Sequence, residues 1–102
     1  MAQYEFDQDD FTELLALNGF TRTNGATANT FIKDYSCRNG ILKVRVSIFD
    51  EVDGQKAAEV RLFKEHTMLS MKEFKTYYGA KNHLVRETYY RGCATPFVRI
   101  RN

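Results

Sequence analysis

The stretch "SCRNGILKVRVSIF", residues 36–49, decides the fold of this chain. Asn39-Gly40 is a pair that favours a two-residue type I′ turn between antiparallel strands. Apolar residues then alternate with polar ones, as expected of a strand that buries one face: Leu42, Val44, Val46 and Ile48. The stretch therefore predicts a β-hairpin with one apolar face.

A two-residue turn at Asn39-Gly40 also fixes the register of the hairpin. It places Tyr35 opposite Val44 on the apolar face and Asp34 opposite Arg45 on the polar face. Lys33 then falls on the apolar face, so its side chain must extend out of the core or a bulge must rotate it outward.

The next connection, within "FDEVDGQKAAEV" at residues 49–60, resembles a second tight turn at Asp53-Gly54. A two-residue turn there would place Val46 opposite Arg61 and mix the two faces. We therefore expect a longer or bulged loop, with three residues at 53–55 setting Val46 opposite Leu62 and Lys43 opposite Glu65.

The first helix is predicted from "FDQDDFTELLALNGF", residues 6–20. Asp7 is a good N-cap, Phe6 and Phe11 suit a hydrophobic staple, and Asn18-Gly19 suits a left-handed stop. A helix over 8–17 follows, with a buried stripe formed by Phe11, Leu14 and Leu15. Between it and the hairpin, Asn24-Gly25 joins a short strand at 20–23 to the strand near 27, or lies in a loose loop.

The second half of the chain predicts another helix and a strand pair. Ser70 and Glu73 form a capping box and Gly79 a stop, which predicts a helix over 71–78. Residues 80–91 have both helical spacing and β-forming side chains, and we interpret them as a strand. That strand pairs with "TPFVRIR", residues 95–101, through a turn at 92–96.

The predicted fold is a single α+β domain over residues 1–102. It has an N-terminal helix, an antiparallel meander of three or four strands packed by that helix on one face, a second helix and a C-terminal strand pair. Composition agrees, since 43% of the residues are hydrophobic and the chain has one proline.

The location of the protein is predicted to be cytoplasmic. The amino terminus has no secretion signal and no stretch is long and apolar enough to span a membrane. Cys37 and Cys93 are then expected to be free thiols.

No motif indicates catalysis, a cofactor or a metal. The chain has no phosphate-binding glycine loop or dinucleotide fingerprint, and its two cysteines and two histidines lack the local spacing of a zinc site. A catalytic cysteine has no flanking signature in its favour. The sequence therefore favours a non-enzymatic protein.

A partner-binding surface is predicted from charge and aromatic residues. Residues 1–53 carry nine acids and five bases, while residues 54–102 carry four acids and ten bases. Two phenylalanines also fall on the polar face of the sheet, where the second helix, residues 84–90 or a partner must cover them. The predicted partner-binding residues are Phe49, Phe63, Arg86, Tyr89, Tyr90, Arg91, Phe97, Arg99 and Arg101.

The function expected from the sequence is binding of another protein, as an inhibitor, adaptor or accessory factor. A nucleic-acid-binding module is the alternative, because exposed aromatic rings stack on bases and arginines hold phosphates. A second copy of this chain is a further candidate partner. Salt separates the first two, because phosphate contacts weaken steeply as salt rises.

Overall fold

The chain forms two helices and a five-stranded antiparallel sheet, as described for residues 6–23 and 29–99 of a computed structural model. Neighbouring strands in the sheet follow the order of the chain, β1 to β5. The elements are α1 Gln8–Leu17, β1 Thr21–Thr23, β2 Asn29–Cys37, β3 Gly40–Asp50, β4 Lys56–Lys64, β5 Thr67–Phe74 and α2 Tyr77–Tyr90. The α+β class is confirmed, and the meander contains one strand more than the four expected at most.

Both helices pack on the same face of the sheet. Phe11 and Leu15 of α1 and Leu84 of α2 share one core with the inner side chains of the strands, among them Val46 and Val60. The rings of Phe11 and Tyr77 are 5.7 Å apart, which brings the two helices into contact. The opposite face of the sheet carries no helix in the described part of the chain.

Helix α1 confirms its prediction at both ends. The Asp10 amide donates to the Asp7 carboxylate at 3.1 Å, and the rings of Phe6 and Phe11 are 5.3 Å apart. At the other end Gly19 has a φ of 90°, and the Phe20 amide donates to the Leu15 carbonyl at 3.0 Å. This is the Schellman closure that Asn18-Gly19 predicts.

The central hairpin forms, but its predicted register is wrong by two positions. The turn lies at Arg38-Asn39, Gly40 follows with a φ of 115°, and Tyr35 is opposite Leu42 instead of Val44. Because the shift is an even number of residues, every side chain keeps its predicted face.

Lys33 lies on the apolar face, and its side chain extends out of the core, which is one of the two predicted outcomes. Its ammonium lies 4.3 Å from the centre of the Tyr35 ring and donates a hydrogen bond to the Asn18 carbonyl at the end of α1. Partial burial lowers the pKa of Lys33. The positive charge therefore lies at the helix end where the macrodipole is negative.

The connection from β3 to β4 is a five-residue loop, residues 51–55, so the expected longer loop is confirmed. Its predicted pairing is wrong, because Val46 lies opposite Val60 and Lys43 lies opposite Phe63. The short strand β1 is confirmed, while the connection at Asn24-Gly25 lies outside the described residues.

The predicted helix over 71–78 is wrong, because Thr67–Phe74 is strand β5. It pairs with β4 through a two-residue turn at Glu65-His66, where Glu65 has a φ of 57°. Pairing along a full neighbouring strand overrides the local capping signal of Ser70 and Glu73.

Helix α2 begins instead at Tyr77, after Thr76, whose hydroxyl accepts from the Gly79 amide at 3.0 Å. The strand predicted over 80–91 is therefore wrong as well. Side chains at helical spacing are buried on the sheet side of α2, namely Ala80, His83, Leu84 and Thr88. Burial of this stripe outweighs the β propensity of the valine, threonine and tyrosines.

Residues 91–99 contain no strand. Residues 93–99, which we call the strap, instead bond to β2, to α2 and to the end of α1. The Ala94 amide donates to the Ser36 carbonyl at 2.8 Å, and the Phe97 amide donates to the Thr88 hydroxyl at 2.8 Å. The Val98 amide donates to the Asn18 side chain at 2.9 Å. One backbone carbonyl and two side chains thus replace the strand partner that the sequence predicted.

Cys37 and Cys93 form a disulfide, which corrects the prediction of free thiols. Cys37 ends β2 and Cys93 begins the strap, and the fold brings these two positions together although they are 56 residues apart in the sequence. No local sequence pattern reveals this proximity. The cytoplasmic location stays a prediction, without the thiol argument. Within the described ranges no helix is long and apolar enough to cross a bilayer.

Candidate functional site: the open sheet face

The predicted partner-binding residues do not form one surface. Phe49 and Phe63 lie on the sheet face that faces away from the helices, which we call the open sheet face. The residues predicted from the basic region lie on α2, at its C-cap and in the strap, on the other side of the molecule: Arg86, Tyr89, Tyr90, Arg91, Phe97 and Arg99. Arg101 lies outside the described residues.

The open sheet face is polar along its centre, and most of its charges are paired. Lys43 lies 3.1 Å from the Asp34 carboxylate, and Arg61 lies 2.7 Å from the Glu59 carboxylate. The neutralisation of Lys43 by Glu65 that the sequence predicted is wrong, because the observed register brings Phe63 opposite Lys43. The Lys43–Asp34 pair is exposed to solvent and contributes little to the stability of the fold.

Phe49 and Phe63 share this face but lie at opposite ends of it. Phe49 is opposite Ala57, six positions along β4 from Phe63, or about 20 Å at the rise of a strand. Ala57 is fully buried, although it points to the open side. The two rings therefore do not form the single patch that their shared face suggested.

Phe63 belongs to an apolar cluster at the β4–β5 end of the open sheet face. Met68 lies directly opposite Phe63, and Met71 lies directly opposite Arg61, so both methionines share its face. About half of each methionine side chain is exposed, while Phe63 is partly buried. Both predicted covers from this chain are wrong, because no helix spans residues 71–78, and residues 84–90 belong to α2, which packs on the other face. We call Phe63, Met68 and Met71 the methionine cluster.

A shallow groove of about 540 Å³ runs beside the methionine cluster. The Arg45 guanidinium lies 5.4 Å from the centre of the Phe63 ring, a cation–π arrangement that holds the charge over the ring. The groove is lined by Thr23, Thr30, Ile32, Lys43, Arg45, Phe63, Glu65 and His66. It offers apolar area with a few hydrogen-bonding groups, which suits contact with another macromolecule.

The side chains on α2 are more exposed than those of the methionine cluster. Tyr89 and Tyr90 are each 68% exposed, with ring centres 5.6 Å apart. Arg86 is exposed, whereas Arg91 pairs with Glu87 at 2.9 Å and Arg99 donates to Asn82 at 3.1 Å.

Phe97 corrects the prediction for this surface. It is 2% exposed, with its ring 6.1 Å from that of Phe20 in the core. It is therefore a core residue and does not anchor a partner.

Among the described residues, the groups with a shifted pKa lie outside both surfaces. Burial lowers the pKa of His83, whose Nε2 has no hydrogen-bond partner among the described residues. Burial likewise raises the pKa of Tyr35. No group of three histidine, cysteine, aspartate or glutamate side chains in the described part of the chain is placed to hold a metal ion.

Comparisons with protein-family models, with curated proteins and with solved structures gave no match. The function is therefore argued from the surface chemistry alone.

The methionines of the cluster were missed by sequence reasoning because β5 was interpreted as a helix. One signal does point to them. Met68 and Met71 in "TMLSMKEF" carry large apolar side chains. They follow β4, a strand whose residues already alternate between an apolar and a polar face. Only the observed pairing of β5 with β4, including the bulge between Leu62 and Phe63, brings both methionines to the open side.

Proposed function

We propose that the chain is a non-enzymatic binding protein that contacts another protein through the open sheet face. The observation that carries the proposal is the methionine cluster, an apolar area with no cover in the described part of the chain. Methionine side chains adapt their shape to a partner, and aromatic residues with methionine are enriched at the centres of protein interfaces. The paired charges along the rest of the face form the polar rim that such interfaces have.

The charge pattern favours a protein over a nucleic acid. Lys43 and Arg61 are both paired with carboxylates, so the face offers few free cations to a phosphate backbone. Arg45 is the cation that supports the alternative, because it stacks over Phe63 where a base would also stack. A nucleic-acid-binding module therefore remains the second candidate function.

The test compares recovery of partners by variants at the two surfaces. Phe63→Ser and Met71→Ser remove apolar area from the open sheet face, while Tyr89→Ser removes an exposed ring on the opposite side. Each tagged variant is incubated with extract of the native host, and bound protein is identified by mass spectrometry after circular dichroism has shown it folded. We expect Phe63→Ser and Met71→Ser to lose the main partner and Tyr89→Ser to retain it.

Loss of the partner from Tyr89→Ser alone would assign the interface to α2 instead. Sedimentation of the isolated protein distinguishes a homodimer, which the same two serine variants would dissociate. If nucleic acid is recovered, a log-linear loss of binding with rising salt would favour the second candidate function.

A further inference from the structure

A second groove lies at the end of the sheet, where the β2–β3 turn meets the carboxyl end of α2. Its volume is about 370 Å³. It is separate from the methionine cluster, with which it shares no lining residue. Its lining consists of Cys37, Asn39, Gly40, Ile41, Leu42, Lys64, Leu69, Tyr90 and Arg91. We call it the end groove.

The floor of the end groove is tied together by covalent and hydrogen bonds. The Cys37–Cys93 disulfide joins the end of β2 to the strap, and the Ala94 amide donates to the Ser36 carbonyl beside it at 2.8 Å. The Arg38 guanidinium packs against Gly92, where an added Cβ would lie 2.5 Å from it. A site held in this way loses little conformational freedom when a ligand binds.

Three large apolar side chains line the end groove. Ile41 is 54% exposed, Leu69 41% and Tyr90 68%, and they come from β3, β5 and α2 respectively. Three large side chains from separate elements therefore converge on one concave surface. This arrangement differs from single exposed apolar residues, which are common on any protein.

The rim of the end groove is positively charged. Lys64 and Arg91 line it, and none of its lining residues is an acid. Arg91 bonds to Glu87 through Nε at 2.9 Å, which orients the guanidinium and leaves its terminal amino groups for a further acceptor. The stem of Lys64 lies beside Gly40, because a Cβ at that glycine would be 3.9 Å from Lys64 Cε.

We propose that the end groove binds an acidic, apolar segment of a partner protein, with a carboxylate at Lys64 and Arg91 and an apolar side chain between Ile41, Leu69 and Tyr90. Charge complementarity selects this occupant, since Lys64 and Arg91 both line the groove and none of the lining residues is an acid. The planar guanidinium donates two parallel hydrogen bonds to a carboxylate, which fixes the direction of the bound segment. The site does not depend on the function proposed for the open sheet face.

The test uses two fluorescein-labelled peptides against the whole oxidised chain. One peptide alternates glutamate with leucine and phenylalanine, and the second replaces every glutamate by lysine. Fluorescence polarisation measures binding, and amide chemical shifts locate it. We expect the acidic peptide to bind, the basic peptide not to bind, and the shifts to centre on residues 39–42, 64–69 and 90–91.

Variants of Lys64 and Arg91 supply the matched controls. Lys64→Gln should weaken binding of the acidic peptide about tenfold, the loss expected for one charge-assisted contact. Lys56→Gln removes the same charge at the other end of the same strand and should leave binding unchanged. Arg91→Lys keeps the charge but loses the paired geometry, so it should also weaken binding.

Equal binding of both peptides, or equal loss from Lys64→Gln and Lys56→Gln, would overturn the proposal. So would shifts that centre on Arg45 and Phe63, because these would place the peptide on the open sheet face. Failure of the partner test for the methionine cluster leaves these outcomes unaffected, so the two proposals fail separately.

Discussion

Tyr35 buries a hydroxyl that has no hydrogen-bond partner among the described residues, although its ring packs against Phe20 and beneath the Lys33 ammonium. A buried hydroxyl without a partner is unfavourable compared with the same group in water. We predict that Tyr35→Phe raises the free energy of unfolding by about 1 kcal/mol, measured by urea titration. Tyr89→Phe, at an exposed position, should change nothing. A destabilised Tyr35→Phe would mean that the hydroxyl has a partner in the folded protein.

Asn18 is the opposite case, because its buried side chain bonds three backbone groups. Its amide nitrogen donates to the Leu14 carbonyl at 2.9 Å and to the Val98 carbonyl at 3.1 Å, and its oxygen accepts from the Val98 amide. We predict that Asn18→Ala lowers the free energy of unfolding by about 3 kcal/mol, because it leaves buried backbone groups unpaired. Asn18→Asp directs a carboxylate oxygen at the Leu14 and Val98 carbonyls, at the negative end of α1, and should destabilise the fold at least as much as alanine does. A loss below about 1 kcal/mol for alanine would show that water replaces these bonds.

At the scale of elements, α2 carries a buried histidine on its sheet side. Burial lowers the pKa of His83, whose ring centre lies 4.9 Å from that of Phe74. The unfolded chain therefore binds a proton at this residue at a higher pH than the folded chain does. Well above pH 6.5, His83 does not change the free energy of unfolding. As the pH falls below that value, protonation of His83 in the unfolded chain lowers the free energy of unfolding.

We predict that thermal unfolding midpoints of the native chain fall from pH 7 to pH 5, and that His83→Leu makes this fall smaller. One site contributes a slope of at most about 1.4 kcal/mol per pH unit. Denaturant titrations of both chains at several pH values measure the difference. Identical slopes would show that His83 is accessible to protons in the folded protein.

Elements with signals inside their own sequence were predictable. Helix α1 carries its N-cap, staple and glycine stop within a few residues of each other, and every one of them forms. The alternation of apolar and polar residues predicted the two faces of β3. These faces are as predicted, although the register set by the turn was wrong by two positions. In both cases the deciding interactions are local.

The elements that were mispredicted depend on distant partners. Ser70 and Glu73 satisfy the rule for a capping box, yet β4 offers them a strand to pair with. Phe97 was predicted to lie at the surface. No local pattern in the sequence shows that its amide bonds to Thr88 and that the Val98 amide bonds to Asn18. The candidate site shows the same difference. Phe63 was predicted from the sequence, but its neighbours Met68 and Met71 were not.

At the scale of the whole molecule, the disulfide closes a loop with a sequence separation of 56 residues. Closing a loop of this length restricts the unfolded chain by about 4 kcal/mol in the chain-entropy treatment. We predict that a Cys37→Ser, Cys93→Ser double variant folds but unfolds about 2–4 kcal/mol more easily. Reductant should destabilise the native chain similarly and leave the double variant unchanged. Equal stability of native chain and double variant under oxidising conditions would show that the thiols are free in solution.

The order of strands in the sheet has a consequence for folding kinetics. Each strand pairs with the next along the chain, so the hairpins form from contacts of low contact order, whereas Asn18 and Val98 are separated by 80 residues. Ordering the strap requires closure of the longest loop, so we place it after the transition state. A strap substitution that removes buried area, such as Phe97→Leu, should therefore accelerate unfolding and leave the folding limb of a chevron plot unchanged. The strap would then determine the lifetime of the folded molecule, whereas the meander determines how fast the molecule folds.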